Sequence, residues 1–587
     1  MKMRNRRGKA WLACVLALAM TFSLAACGSG QTGGTEAGDA AGSGTDAVIG
    51  TAGDATGGAE NAAWKSRPLN VIDDKYRTYY EIFVYSFYDS DGDGIGDLQG
   101  VIQKLDYLND GDASTDTDLG INGIWLMPVM PSTTYHKYDT KDYMGIDKEY
   151  GTMEDFEQLL RECHARGINV IIDLAINHSS SKHPWFLEAT NYLKQLPEGA
   201  EPDVAECPYL EYYHFAKEAK SGYAQVIGTD SWYYEAQFWS EMPDLNLYSE
   251  AVRKEFEEIA KFWLDKGVDG FRLDAVKEYV TGSADKNVEI LTWFNDAVKA
   301  MDPDAYLVCE CWTDRMTYSR YYASGVDSMF AFEFADKSGL ISNVVNGRQK
   351  ASSYGKALEE AAKLHESYNT AYVDAPFYTN HDLGRSAGYY AGENSTAQTK
   401  MAQALNLLMS GNAFLYYGEE LGMKGSGKDE NKRAPMYWSQ DANAEGMCDG
   451  PKDMDSVKMK FESLEEQAAD SGSVYNYVKD VIRLRNQNPE IARGKVTWHE
   501  VNAGDSVCVI SKQYEGNTIV LVFNVGPETV EVDLSPITLP GEADAPANST
   551  VPDMKIIGEL LTGEEAIIKN ANKTTMPPYS VLVLGNS

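Results

Sequence analysis

The chain has 587 residues, 43% of them apolar and 11% aromatic, which is material for more than one sizeable core and rules out a disordered protein. Its 52 basic and 88 acidic side chains leave a net charge of −36. That charge opposes binding to nucleic acid or an anionic lipid surface and favours a neutral or cationic partner.

At the N-terminus Lys2, Arg4, Arg6, Arg7 and Lys9 precede a short apolar stretch from Trp11 to Ala26, the pattern of an export signal too short to span a membrane comfortably. The stretch closes on Leu24-Ala25-Ala26-Cys27, which resembles the lipobox of bacterial lipoproteins. That resemblance implies a signal over residues 1–27, lipidation of Cys27, and attachment by this lipid alone to the extracellular face of the cell envelope. Residues 28–64 are mostly Gly, Ala, Thr, Ser and Asp and predict a flexible linker, with folded structure beginning near Trp64.

Further along, eight apolar runs predict strands: Tyr79 to Phe87, Gly123 to Pro128, Val170 to Leu174, Gly270 to Leu273, Tyr306 to Val308, Ser328 to Phe332, Ala375 to Tyr378 and Phe414 to Tyr417. Between them, segments such as Met153 to Arg166 and Val252 to Lys266 carry apolar residues three and four apart, with Gly167 and Gly267 at their ends. Continuous apolar strands alternating with helices predict a (β/α)₈ TIM barrel over residues 65–490, with a doubly wound sheet as the alternative. The long Tyr- and Trp-rich stretch after strand three predicts a subdomain inserted at about residues 179–245. From residue 491 to 587 short alternating runs predict a C-terminal antiparallel β-sandwich. Cys309 and Cys311 fall on one face of the fifth strand and read as small core residues.

Three segments end in acids: Gly270 to Asp274, Tyr306 to Glu310 and Phe377 to Asp382. In a barrel the C-terminal ends of the strands converge on one face, so Asp274, Glu310 and Asp382 are predicted to share a cleft. Two such carboxyls flanking a glycosidic bond supply an acid and a nucleophile.

These segments, with Asp173-Leu174-Ala175-Ile176-Asn177-His178 and the Gly411 to Glu420 run, resemble the alpha-amylase family of glycoside hydrolases in order and spacing. The resemblance implies that Asp274 is the nucleophile, Glu310 the general acid/base and Asp382 the group that grips sugar hydroxyls. It also implies substrate contacts from Tyr138, Asp139, His178, Arg272, Lys277, His381 and Arg385, with Arg272 keeping Asp274 ionised. Trp232, Tyr233, Tyr234 and Trp239 of the insertion are candidates to stack on glucose rings. Met242-Pro243-Asp244-Leu245-Asn246 resembles the subgroup between oligo-1,6-glucosidases and neopullulanases, whose members are mostly alpha-amylases. The implied substrate is an α-1,4-glucan, poly- or oligosaccharide; the oligomeric state is not read from the sequence, with a monomer as the expectation. The alternatives are an α-glucosidase, oligo-1,6-glucosidase or transglycosylase on the same fold, or a non-catalytic glucan-binding lipoprotein.

Asp89-Ser90-Asp91-Gly92-Asp93-Gly94-Ile95-Gly96-Asp97 alternates carboxylates with glycines, a set of hard oxygen donors suited to Ca²⁺. Gly100 stands where an EF-hand has its bidentate Glu, so this is not an EF-hand. The same loop in the oligo-1,6-glucosidase branch implies one Ca²⁺ held by Asp89, Asp91, Asp93, Asp97 and the Ile95 carbonyl.

Overall fold

The computed structural model describes residues 62–539, 551, 554–570 and 572–586. The expected signal, Cys27 and nearly all of the expected linker lie outside them. A short turn over Ala62–Ser66 already buries Trp64 in the main core, so folded structure starts just before residue 65.

Seven strands form a curled parallel sheet: β1 (Thr78–Ile82), β2 (Gly123–Leu126), β3 (Asn169–Leu174), β7 (Gly270–Leu273), β8 (Tyr306–Cys309), β9 (Ser328–Met329) and β10 (Ala413–Tyr416). β10 pairs with β1, and β9 is the other edge. The expected seventh barrel strand, Ala375 to Tyr378, is not continuous. It bridges the gap by two single parallel contacts, Phe330 to Ala375 and Phe377 to Phe414, and so closes a (β/α)₈ barrel. The first run also ends sooner than expected, at Ile82, where the chain turns toward the acidic loop at Asp89.

Helices between strands start and stop as local chemistry dictates. Thr152 and Asp155 form a capping box for Met153–Ala165, and Ser249 caps Glu250–Asp265. Gly167 (φ 72°) and Gly267 (φ 98°) follow them in the left-handed region that ends a helix without a Cβ clash. Inside the barrel Tyr79, Trp125, Tyr306, Val308, Phe330 and Phe414 form one apolar layer, with Tyr79 stacked on Phe414 at 4.9 Å. Above that layer the inward positions turn polar, which is where the site begins.

After β3 the chain leaves at His178 and returns at Asp244, which pair as an isolated bridge. The excursion holds a helix, Pro184–Gln195, and a small antiparallel sheet of β4 (Phe215–Ala216), β6 (Tyr233–Glu235) and β5 (Tyr223–Gln225). The C-terminal part packs a five-stranded sheet, β11 (Lys495–His499), β12 (Val507–Tyr514), β13 (Asn517–Asn524), β18 (Ser580–Gly585) and β15 (Lys555–Leu560), on a three-stranded one of β14 (Val530–Asp533), β17 (Lys573–Met576) and β16 (Ile568–Asn570). Alternation divides the work. Val509, Val520 and Val522 face the smaller sheet, while Cys508, Ile510, Leu521 and Phe523 face the barrel helices. At that junction Lys512 is fully buried and donates to the carbonyls of Leu408 and Ile491. Arg485 beside it caps the carbonyls of Leu407, Met409 and Gly411. Cys309 and Cys311 are buried core residues. Among the described residues no helix is long and apolar enough to cross a membrane.

Candidate active site

The site is organised around one guanidinium. β7 turns Phe271 and Leu273 toward the helices and Arg272 into the barrel, where it is fully buried. The parallel register puts Asp173 of β3 beside it. Arg272 Nη1 donates to both Asp173 oxygens at 2.9 Å and to Asp274 Oδ1 at 2.6 Å. Nη2 lies 3.2 Å from Glu310 Oε2, a close ion pair outside hydrogen-bonding geometry. The Trp125 ring packs on the cation, 5.1 Å from its centroid. A planar fork of fixed donors holds three carboxylates in one arrangement, which a lysine cannot do.

Asp274 and Glu310 follow directly on the last residues of β7 and β8. Between them Ala275 sits at φ 48°, a left-handed conformation that costs a non-glycine residue on the order of 1 kcal/mol. That turn aims the Ala275 amide at Glu310 Oε2 (3.0 Å), and the Val276 amide donates to the Glu310 carbonyl (2.9 Å), locking the two strand ends together. Burial raises the Glu310 carboxyl to about 7; Arg272 opposes this, and Asp274 and Asp382 reinforce it. Glu310 therefore holds its proton near neutrality, while Asp274 is hydrogen-bonded by a cation.

Asp382 is gripped from several sides. Its Oδ1 accepts from Arg433 Nη2 at 2.9 Å, its Oδ2 lies 3.1 Å from His381 Nε2, and its carbonyl accepts from Lys432 Nζ at 2.8 Å. Burial works against its charge, but His381, Arg433 and Arg272 together hold the carboxyl far below the usual range. His178 presents a buried Nε2 with no protein partner, and burial lowers its basicity, so it is a neutral imidazole.

Asp274, Glu310, Asp382 and His178 line a cleft of about 750 Å³ that also takes in His136, Tyr138, Lys277, Met242 and Arg433, while Arg272, Asp173 and His381 are buried behind its wall. Its apolar walls are Phe238 and Trp239 from the insertion and Trp312 after β8, with Trp239 and Trp312 46% and 49% exposed. Trp312 lies flat on Phe332 at 5.3 Å. Of the four aromatic candidates in the insertion, Trp239 alone lines the cleft. Tyr234 is buried and Trp232 packs with the insertion's own small core.

Two expected contacts stand elsewhere. Asp139 is fully buried and accepts from the hydroxyls of Ser132, Thr133, Thr134 and Ser180, so it folds the loop that presents His136 and Tyr138 instead of facing the cleft. Arg385 is also buried. It donates to the carbonyls of Lys432 (3.0 Å) and Tyr417 (2.6 Å) and lies over the Tyr416 ring, bracing the segment after β10. Arg433, Asp173, Glu81, His136 and Trp312 were not among the expected residues. Asp173 and Glu81 carried a usable signal, a single acid at an inward position of an apolar strand; Arg433, 51 residues past Asp382 in a loop, carried none.

In the acidic loop the carboxylates of Asp89, Asp91 and Asp97 converge, with ligand atoms within 4.8 Å of one another. Gly92 (φ 84°) and Gly94 (φ 91°) make the reversal, and their amides donate to Asp89. Three hard anionic donors in one place fit Ca²⁺. Asp93 stands outside this group: it is exposed and accepts from the Ile95 amide.

The chain is similar to known proteins over most of its length. The Alpha-amylase family, described as the alpha amylase catalytic domain, matches residues 81–494. "Alpha-amylase 3" of Dictyoglomus thermophilum is 37% identical over 457 residues, covering 77% of this chain and 85% of its own. An oligo-1,6-glucosidase of Parageobacillus thermoglucosidasius is 28% identical, covering 72% of this chain and 84% of its own. Among solved structures, Eubacterium rectale Amy13B is 49% identical with a TM-score of 0.83, covering 89% of this chain and 98% of that one. An alpha-amylase from H.orenii is 34% identical with a TM-score of 0.73, covering 88% and 100%.

Proposed function

Because the chain belongs to the alpha-amylase family of glycoside hydrolases, we propose that it is a retaining hydrolase of α-1,4-glucosidic bonds in starch and maltodextrins. The observation that carries this reading is the unequal treatment of two carboxyls by one cation. Asp274 accepts a 2.6 Å charge-assisted bond from Arg272, which suits a nucleophile. Glu310 is buried, points at the same cleft and keeps its proton to about 7, which suits a general acid. Glu310 protonates the leaving oxygen as Asp274 attacks the anomeric carbon, and the Glu310 carboxylate then activates water. Asp382, His178 and His381 hold hydroxyls of the distorted sugar. Trp239 and Trp312 offer flat faces to neighbouring rings.

The relatives named as alpha-amylases, at 37% and 34% identity, favour α-1,4 bonds over the α-1,6 bonds named by the 28% relative. Met242 in the cleft wall supports the same choice. Incubation with amylose, pullulan and isomaltose tests it. Release of mixed maltooligosaccharides from amylose is expected, and turnover of isomaltose alone overturns the assignment. We further propose that Asp89, Asp91 and Asp97, with the Ile95 carbonyl, hold one Ca²⁺ that pins the loop after β1. The lipobox-like Cys27 supports an extracellular, lipid-tethered enzyme; radiolabelled palmitate incorporation lost in Cys27→Ala is the expected result.

A further inference from the structure

Glu81 is an acid with no place in the reaction just described. It is 1% exposed, lies at an inward position of β1 in register with Trp125 and Tyr416, and is not on the cleft wall. Its Oε1 is 2.6 Å from His381 Nδ1. On the other side of the ring, His381 Nε2 is 2.8 Å from the Tyr138 hydroxyl and 3.1 Å from Asp382 Oδ2.

Counting protons over these contacts leaves little freedom. Burial opposes the Glu81 charge while His381 and Arg272 favour it; with Glu81 ionised the carboxylate only accepts, so Nδ1 carries a proton toward it. Tyr138 Oη has a single proton, and it lies 2.9 Å from Asp173 Oδ2, a carboxylate ion-paired with Arg272. Directed at Asp173, that proton leaves the Tyr138 oxygen facing Nε2 as an acceptor. Asp382 faces Nε2 as an acceptor too. A bare Nε2 would face the partly exposed Asp382 carboxylate at 3.1 Å with no hydrogen between them, whereas protonating both ring nitrogens places a positive charge between Glu81 and Asp382.

We propose that Glu81 is a positioning residue that keeps His381 as a fixed imidazolium, so that Nε2–H is always offered to Asp382 and to the sugar lodged against it. The charges around the ring fit this assignment: Glu81 from β1, Asp173 from β3 and Asp382 after the seventh barrel segment, against Arg272 from β7 and Arg433 from the loop after β10. Tyr138 stacks on the ring at 5.5 Å and Trp125 meets its edge at 5.8 Å, so the imidazolium cannot swing away. Burial alone would lower the basicity of His381, but Asp382 and Glu81 outweigh it and raise its pKa to about 9. The kinetic part of the proposal rests on the glycosidase reading above; the proton count does not.

The chain has eight histidines, few enough for selective ¹⁵N labelling of the full-length protein, with His381→Asn identifying the signal. The expected wild-type spectrum at pH 8 shows two protonated nitrogens on His381. In Glu81→Gln the titration midpoint is expected to move down by at least about one pH unit, a tenfold change in imidazolium population. The same variant should lose more kcat at pH 8 than at pH 5.5, and Glu81→Asp should restore most of the difference. A neutral His381 at pH 7 in the wild type, an unmoved titration in Glu81→Gln, or an equal loss of kcat at both pH values overturns the proposal. The wild-type spectrum alone decides if Glu81→Gln fails to fold, and it reads the proton whether or not the chain hydrolyses α-glucans.

Discussion

Replacing Glu310 by Gln should inactivate the enzyme and stabilise the fold, in a pH window set by one titration. The folded carboxyl titrates at about 7 against an ordinary 4.5. Between those values the folded state binds the extra proton, so wild-type stability is fully present below pH 4.5 and falls as pH rises through 7. At about 1.4 kcal/mol per pH unit, the charge costs the folded protein about 3 kcal/mol above pH 7. Gln keeps the shape and the oxygen that accepts from the Ala275 amide, and it carries no charge. Its advantage is thus near zero at pH 4.5 and about 3 kcal/mol at pH 8. For a cooperative unit of roughly 500 residues, with an unfolding entropy of roughly 1 kcal/mol per kelvin, that is a gain of about 3 °C in Tm at pH 8. Loss of the general acid should cost about 10²- to 10⁴-fold in kcat on maltooligosaccharides. Differential scanning calorimetry of both proteins at pH 5 and pH 8, beside a reducing-sugar assay, provides the measurement. A Tm difference that does not change with pH would refute the assignment of a raised titration to Glu310, whatever the activity does.

Arg433→Ala should lower kcat by about two orders of magnitude with a smaller effect on Tm, because it frees Asp382 Oδ1 and the Tyr135 hydroxyl together; steady-state kinetics on maltotetraose tests this. Turnover within threefold of wild type would show that His381 and Lys432 hold Asp382 unaided. Chelation by EDTA is expected to lower Tm by several degrees and added Ca²⁺ to restore it, since an ion bound only to the folded state stabilises it by mass action. Asp89→Asn should blunt the response, and a melt indifferent to chelation removes the metal.

Residue patterning carried much of this architecture. The apolar runs ending at Leu273 and Val308 announced strands, and barrel geometry then brought Asp274 and Glu310 to one face. The seventh strand was overestimated because Ala375 to Tyr378 has the composition of a strand yet makes only two bridges, a property of the closing gap and not of its residues. Asp139 was misplaced for a local reason: three consecutive hydroxyl residues, Ser132 to Thr134, were available to bind it, and their convergence depends on loop conformation. Arg385 and Arg433 illustrate the same limit. Both follow Asp382 in the chain and both are arginines, but only packing around Tyr416 and Tyr417 decides which one is sealed away and which reaches the acid.

The C-terminal sheets invite description as an appendage, yet Lys512 makes them part of the catalytic domain's foundation. It reaches from β12 to carbonyls of Leu408 and Ile491, next to Arg485 capping three more. Truncation near residue 490 would remove Lys512, leave the Leu408 carbonyl without that donor and strip Cys508, Ile510, Leu521 and Phe523 from the barrel helices. A replacement C-terminal module would have to bring its own buried lysine to the same depth, so in this chain the unit serves as the keystone of the barrel.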